Sequence, residues 1–229
     1  MEIDHATFAE SASAALRRQG LSFRLTPDAA AFAEARRKIW DGYVHPSLDP
    51  GPAGPPEPEG LLGLIVEDQT GTPAATVGAR RFNRTSVSAL IGSGRLWGGA
   101  PQSITTREAP SALHVTARTI AFLGAMAVDP HWRGRRIGQV INHVIRFEVS
   151  ARWKPDILFA LLQPDKLGSG LVDRYFCYSG ATLCQYAAHG GPGEPRHAQE
   201  VIGWLTPGDA AASIRTWLDR QDGNGPAPP

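Results

Sequence analysis

A chain of 229 residues is long enough to bury one sizeable core, and it reads as one elaborated domain. Its 42% hydrophobic and 20% charged residues are ordinary for a globular protein, whereas 25 glycines and 19 prolines call for long loops. A formal charge of +1 excludes a wholly basic nucleic-acid binder, and two cysteines exclude a disulfide framework. No Arg- or Lys-led apolar stretch opens the chain, so a cytoplasmic setting is expected. The longest apolar run, Ile120 to Val128, is about half of what a membrane-spanning helix needs, so no membrane partner is expected either.

In chain order, residues 1–20 read as a surface helix or leader, with Phe8, Ala12, Ala15 and Leu16 at helical spacing. A short strand from Leu21 to Leu25 precedes Thr26-Pro27-Asp28, which starts a helix expected over Ala29 to Tyr43. Within it Arg36-Arg37-Lys38 reads as a solvated face. The Pro/Gly-rich stretch 45–60 reads as a surface loop, and Leu61 to Glu67 with Ala74 to Phe82 as a β-hairpin. Thr85 to Ala112 lacks a clean period and is expected to be an irregular insertion, whose Leu96 and Trp97 fit either an acceptor pocket or a contact in a homodimer.

Leu113 to Val128 is mostly β-prone and broken at Gly124, a position that in a strand often marks a bulge. Beyond Asp129-Pro130, Ile137, Val140, Ile141, Val144 and Ile145 recur with helical spacing, and Gln139, Asn142, His143 and Arg146 between them are expected to face outward. A strand over Asp156 to Leu162 follows, then a helix from about Leu167 to Tyr178. Strands over Ala181 to Ala187 and Gln199 to Leu205 are expected to pair. A last helix opens at Thr206-Pro207-Gly208-Asp209, so the domain spans 21–219 with insertions near 45–60 and 85–112, and 220–229 is expected to be a disordered tail.

The stretch from Ala125 to Gly138 joins a buried strand to a helix N-terminus through a short basic loop. From Asp129 to Lys154 there are six basic residues (Arg133, Arg135, Arg136, Arg146, Arg152, Lys154) against two acidic ones (Asp129, Glu148). Amides at a helix start are unpaired within the helix and lie at the positive end of its dipole, so they receive phosphates. Gly134 and Gly138 allow close backbone approach, and the guanidinium groups of Arg133, Arg135 and Arg136 suit phosphate oxygens. The same residues would equally serve as a solvated basic turn.

Val128-Asp-Pro-x-x-Arg-Gly-x-x-Ile-Gly138 resembles the acyl-CoA signature of the GNAT N-acetyltransferase superfamily, Arg/Gln-x-x-Gly-x-Gly/Ala after a strand. Arg133 and Gly138 match its first and last positions, and Arg136 stands where the middle glycine belongs. The resemblance implies an α/β fold of GNAT-like three-layer α/β/α form with a mixed, strongly twisted sheet. It also implies acetyl-CoA or another acyl-CoA as co-substrate and an amine acceptor, a small molecule or a peptide. Main-chain groups of Met126, Ala127 and Val128 would then hold the pantetheine arm. Those of Arg133, Gly134, Arg135, Arg136, Ile137, Gly138 and Gln139 would hold the pyrophosphate. A gap beside Ile157 to Leu162 would admit the thioester.

Many members of that superfamily place a tyrosine near the end of the next helix to protonate the departing thiolate. The corresponding position here is Phe176, so Tyr175 and Tyr178 beside it are the candidates. Glu67, His45, His114 and Gln163 are conceivable bases. Cys177, Cys184, His189 and His197 have metal-ligand types without a usual zinc spacing, and no metal is expected. Ser93 and Ser169 in Gly-Ser-Gly are turns rather than nucleophiles. Two alternatives stand beside an acyl-CoA transferase. One is a long-chain N-acyl amino acid or acyl-homoserine-lactone synthase fed by acyl-carrier protein, which Arg37 to Tyr43 and Val66 to Arg80 loosely resemble. The other is a non-catalytic CoA-binding regulatory module.

Overall fold

The computed structural model describes residues 3–40, 44–49, 60–97, 104–105, 111–166, 179–190 and 194–221. Asp4 caps α1 (His5–Arg17), accepting from the Thr7 amide at 2.8 Å, and β1 (Leu21–Thr26) follows. Asp28 caps α2 (Ala29–Ile39) by accepting from the amides of Ala30 and Ala31, so Pro27 precedes the cap instead of occupying the first turn. The helix is shorter than expected: Trp40 is extended, and 41–43 lie outside the described residues.

The expected hairpin is β2 (Leu61–Asp68) with β3 (Pro73–Thr85), closed by Asp68 Oδ1 accepting from the amides of Thr70 and Thr72. The segment read as irregular contains a short helix, α3 (Val87–Gly92), capped by Ser86, a two-residue strand β4 (Ile104–Thr105) and single helical turns at Arg95–Trp97 and Ser111–Leu113. Then come β5 (Ala117–Val128), α4 (Ile137–Trp153), β6 (Ile157–Leu162), β7 (Gly180–Gly190), β8 (Glu194–Leu205) and α5 (Pro207–Gln221). The helix expected over 167–178 lies outside the described residues.

The eight strands of the described residues form one mixed sheet in the order β1-β2-β3-β5-β6-β8-β7-β4. Every neighbouring pair is antiparallel except β5 and β6, which run parallel through the α4 crossover. The two late strands pair as expected, from Gly180 against Trp204 to Gly190 against Glu194.

Two cores flank the sheet. On one face α1, α4 and α5 pack together, with Phe8 stacked on Phe147 at 4.1 Å and tilted against Trp217 at 5.6 Å. The N-terminal helix is therefore part of this core and not a surface leader. Phe8, Ala12 and Leu16 are buried, and an aromatic or leucine side chain contributes about 1.5–3 kcal/mol on such burial. Packing on so many sides buries α4 nearly all round: Asn142 is 3% exposed, His143 2% and Arg146 0%, contrary to the outward face expected for them.

On the opposite face α2, α3 and the turns around Ser47 and Leu96 form the second core, with Phe32, Leu48, Leu90, Ile91 and Leu96 buried. Ser47 Oγ donates to Leu96 O, tying the two turns. Leu96 is thus a core residue instead of an exposed apolar one. Helix α2 lies close on the sheet because β2 and β3 present glycines to it; a Cβ at Gly63 would stand 2.6 Å from the Phe32 ring. Among the described residues no helix is long and apolar enough to cross a membrane, and no group of three or more His, Cys, Asp or Glu is placed to hold a metal ion.

Candidate functional site

Parallel pairing of β5 and β6 runs from Ile120 opposite Ile157 to Leu123 opposite Ala160 and stops there. Beyond that point β5 stays on β3, reaching Val128 opposite Ala75, while β6 stays on β8, reaching Leu162 opposite Val201. The two strands therefore part, and the β6-facing edge of Gly124 to Val128 is left without a strand partner.

A bulge produces the parting. Thr76 faces Ala127 and Gly78 faces Gly124, so two residues of β5, Ala125 and Met126, stand against Val77 alone. Ala125 has φ of 51°, in the left-handed region, and Thr76 Oγ1 donates to its carbonyl at 3.3 Å. The break expected at Gly124 is this bulge, displaced by one residue.

Next to the gap, Asp129 Oδ1 accepts from the His131 amide and the Asp129 amide donates to Ala74 O, which anchors the loop to β3. Arg133 Nε donates to Val128 O at 3.2 Å, and the Arg135 guanidinium lies 4.8 Å over the Trp132 ring. Gly134 at φ 77° and Arg136 at φ 60° turn the chain into α4. Arg136 occupies the N-cap with no side-chain hydrogen bond to the helix amides, and a Cβ at Gly134 would meet nothing within 4 Å. The Gln139 amide already donates to Arg136 O, which leaves the Ile137 and Gly138 amides at the start of α4 beside three exposed guanidinium groups, a place suited to an anion.

One cavity of about 700 Å³ joins these parts. Its lining includes Met126, Val128, Arg133, Gly134, Arg136, Ile137 and Gly138 from the candidate cofactor residues; Ala127, Arg135 and Gln139 are not among it. The cavity passes between β5 and β6 at Leu123 to Met126 and Ala160 to Gln163, and on the α2 face it reaches Arg36, Trp40 and His45. It therefore crosses the sheet, with the basic loop at its α4 end and the α2 residues at the other.

Of the conceivable bases, His45 and Gln163 line the cavity. Glu67 is paired with Arg24 at 3.2 Å, and His114 is exposed beyond a helical turn; neither is in the lining. Burial lowers the His45 imidazole to about 4, so it is neutral at pH 7. Its Nδ1 accepts from the Ser47 amide at 3.2 Å, which places the hydrogen on Nε2. In that tautomer His45 offers the cavity a donor, not a base. Tyr175, Tyr178, Phe176, Cys177 and Ser169 lie outside the described residues, whereas Ser93 sits in the turn that ends α3, as expected.

Sequence reasoning missed three lining residues. Asn142 lies one turn beyond Gly138, and its Nδ2 is buried without a hydrogen-bond partner among the described residues. Glu200 enters from β8, where nothing in the local sequence distinguishes it. Arg36, read as part of a solvated face, is 4% exposed.

No family model and no curated protein matches this chain. Among solved structures, Arabidopsis thaliana NAA60 in complex with acetyl-CoA is similar at 11% identity and TM-score 0.48, covering 81% of this chain and 98% of that one. A spermidine N-acetyltransferase SpeG chimera from Vibrio cholerae and hSSAT is similar at 7% identity and TM-score 0.45, covering 84% and 98%. FeeM, an N-acyl amino acid synthase from uncultured soil microbes, is similar at 14% identity and TM-score 0.44, covering 84% and 95%. Among the described residues the architecture is a mixed sheet between helical layers, in which the parallel pair β5 and β6 parts beside a basic loop. Residue roles rest on this chain's own geometry.

Proposed function

We propose that this chain is an N-acyltransferase that moves an acyl group from acyl-CoA to an amine. The single observation that carries the reading is the parting of β5 and β6 after Leu123, which opens one cavity from the start of α4 through the sheet. The Arg133 amide donates to Pro130 O and the Gln139 amide to Arg136 O, so the pyrophosphate lies on the amides from Gly134 to Gly138, with Arg133, Arg135 and Arg136 around it. The pantetheine arm runs along the unpartnered edge of Met126 to Val128, replacing the missing strand by strand-like hydrogen bonds. Asn142 Nδ2 supplies a further donor to the arm.

The thioester then sits in the gap, and the amine comes from the α2 face. The amine nitrogen attacks the carbonyl carbon, the C–S bond breaks, the sulfur leaves as a thiolate that takes up a proton, and the new amide nitrogen loses one to solvent. Backbone amides on the free edge of β5 stabilise the charge that develops on the carbonyl oxygen. Tyr175 and Tyr178 are the candidates for protonating the thiolate.

Amine-dependent thiol release from acyl-CoAs of graded chain length tests the reading. Turnover of any acyl-CoA supports it. Turnover confined to acyl-carrier protein transfers the reaction to a carrier-fed synthase, and acyl-CoA binding without turnover of any amine points to a regulatory module.

A further inference from the structure

Three consecutive basic residues end α2, and their surroundings differ. Arg37 is paired with Asp49 at 2.6 Å and Lys38 with Glu34 at 2.8 Å, both at the surface. Arg36 faces inward, and among the described residues no carboxylate is paired with it. Its Nη1 makes one long hydrogen bond to Trp40 O at 3.5 Å, its guanidinium lies 5.0 Å over the Trp40 ring, and its Nε is buried without a partner among the described residues. A guanidinium removed from water and left without an anion destabilises a fold, and its burial here shifts its pKa downward. Arg36 also lines the cavity, as does His45, whose buried Nε2 carries a hydrogen and has no partner among the described residues.

Two unsatisfied donors, one of them cationic, thus face the same end of one cavity. That end belongs to the α2 layer, across the sheet from the basic loop at the start of α4, so the phosphates of a bound CoA lie on the other side. Trp40, Phe122 and Leu161 make apolar stretches of the wall, and Gln163 and Glu200 also line the cavity. A single guanidinium with a neutral donor beside it matches a monoanion with two oxygens, and the apolar stretches match a hydrocarbon body.

We infer that the acceptor is an amine carrying a carboxylate, held by Arg36 and His45 at the α2 end of the cavity so that its amino group points into the gap between β5 and β6. This inference rests on the acyl-transfer reading for the role of the gap, whereas the carboxylate site is a property of Arg36 and His45 themselves.

The test uses matched pairs differing in the carboxylate: L-phenylalanine and phenethylamine, L-leucine and isoamylamine, 6-aminohexanoate and pentylamine. With acetyl-CoA, at least one carboxylate member is expected to exceed its partner in kcat/KM by roughly tenfold or more, the size of one charge-assisted contact. Arg36→Met is expected to abolish that preference through KM, to leave the Kd for acetyl-CoA unchanged, and to melt no lower than the native protein because an unpaired buried charge is removed. Tryptophan fluorescence read without CoA, with Trp40 at the site, is a second readout that needs no turnover. Saturable quenching by carboxylate members alone, lost in Arg36→Met, sustains the inference even if acyl transfer itself fails. Equal binding and turnover of both members of every pair, or a preference that survives Arg36→Met, overturns it.

Discussion

The hydroxyl of Thr76 donates to the carbonyl of Ala125 at 3.3 Å, and this contact pins the bulge at which β5 departs from β6. Thr76 is fully buried, so no water replaces the hydroxyl if it is lost. Thr76→Val keeps the shape and strips the donor. It is expected to cost about 1–3 kcal/mol in urea denaturation, the range for leaving a buried polar group unsatisfied, and to weaken acetyl-CoA binding. An unchanged affinity would mean that the bulge holds its form without Thr76.

Arg136 caps α4 in the left-handed region, φ 60°, where a residue with a Cβ carries a cost of about 1–2 kcal/mol that glycine avoids. Arg136→Gly keeps the backbone and removes the guanidinium. Its melting temperature is expected to rise, while acetyl-CoA affinity falls by roughly tenfold, one charge-assisted contact. Arg136→Val loses both and is expected to fall in stability as well as affinity.

A Cβ at Gly63 would stand 2.6 Å from Phe32 Cδ2, on a ring that is fully buried between α2 and the sheet. Gly63→Ala must push α2 outward, and overpacking of this kind costs about 1–3 kcal/mol. Because α2 carries Arg36, acceptor KM should rise with little change in the acetyl-CoA Kd. Chemical denaturation and steady-state kinetics on the same preparation check both.

Two buried histidines set an acid limit on stability. His143, stacked on Trp217 at 5.5 Å, is lowered to about 3 by burial and then by the Arg146 and Arg220 charges; His45 is lowered to about 4 by burial. Both folded values lie below the unfolded one, so the folded state binds fewer protons. Stability is complete above about pH 6.5 and falls as pH drops from there toward 4, with a limiting slope of about 1.4 kcal/mol per pH unit for each histidine. His143→Leu should flatten the curve by one histidine's share. Urea midpoints at pH 7 and pH 5 measure it.

The hairpin, the α4 stripe and the basic loop were legible because each carries a local signal: a turn at Asp68, a 3.6-residue period from Ile137, and glycines beside arginines. The inward residues of α4 were not, because a single stripe says nothing about a helix packed on several sides, as α4 is by the sheet, α1 and α5. Arg36 was hidden by its neighbours Arg37 and Lys38, although helical phase held the clue. Phe32, Arg36 and Ile39 fall at i, i+4 and i+7, which puts the guanidinium on the buried stripe of α2. His45 and Glu200 owe their places to a loop turn and to strand pairing, neither of which local sequence encodes.

The most direct measurement is a calorimetric titration of acetyl-CoA into the native protein and into an Arg133→Ala, Arg136→Ala double variant. A Kd in the micromolar range that weakens by roughly a hundredfold on loss of two charge-assisted contacts is the expected result. Failure of the native protein to bind acetyl-CoA or any longer acyl-CoA, or binding that the double variant retains in full, would contradict the account of the parted strands and basic loop as the acyl-CoA site.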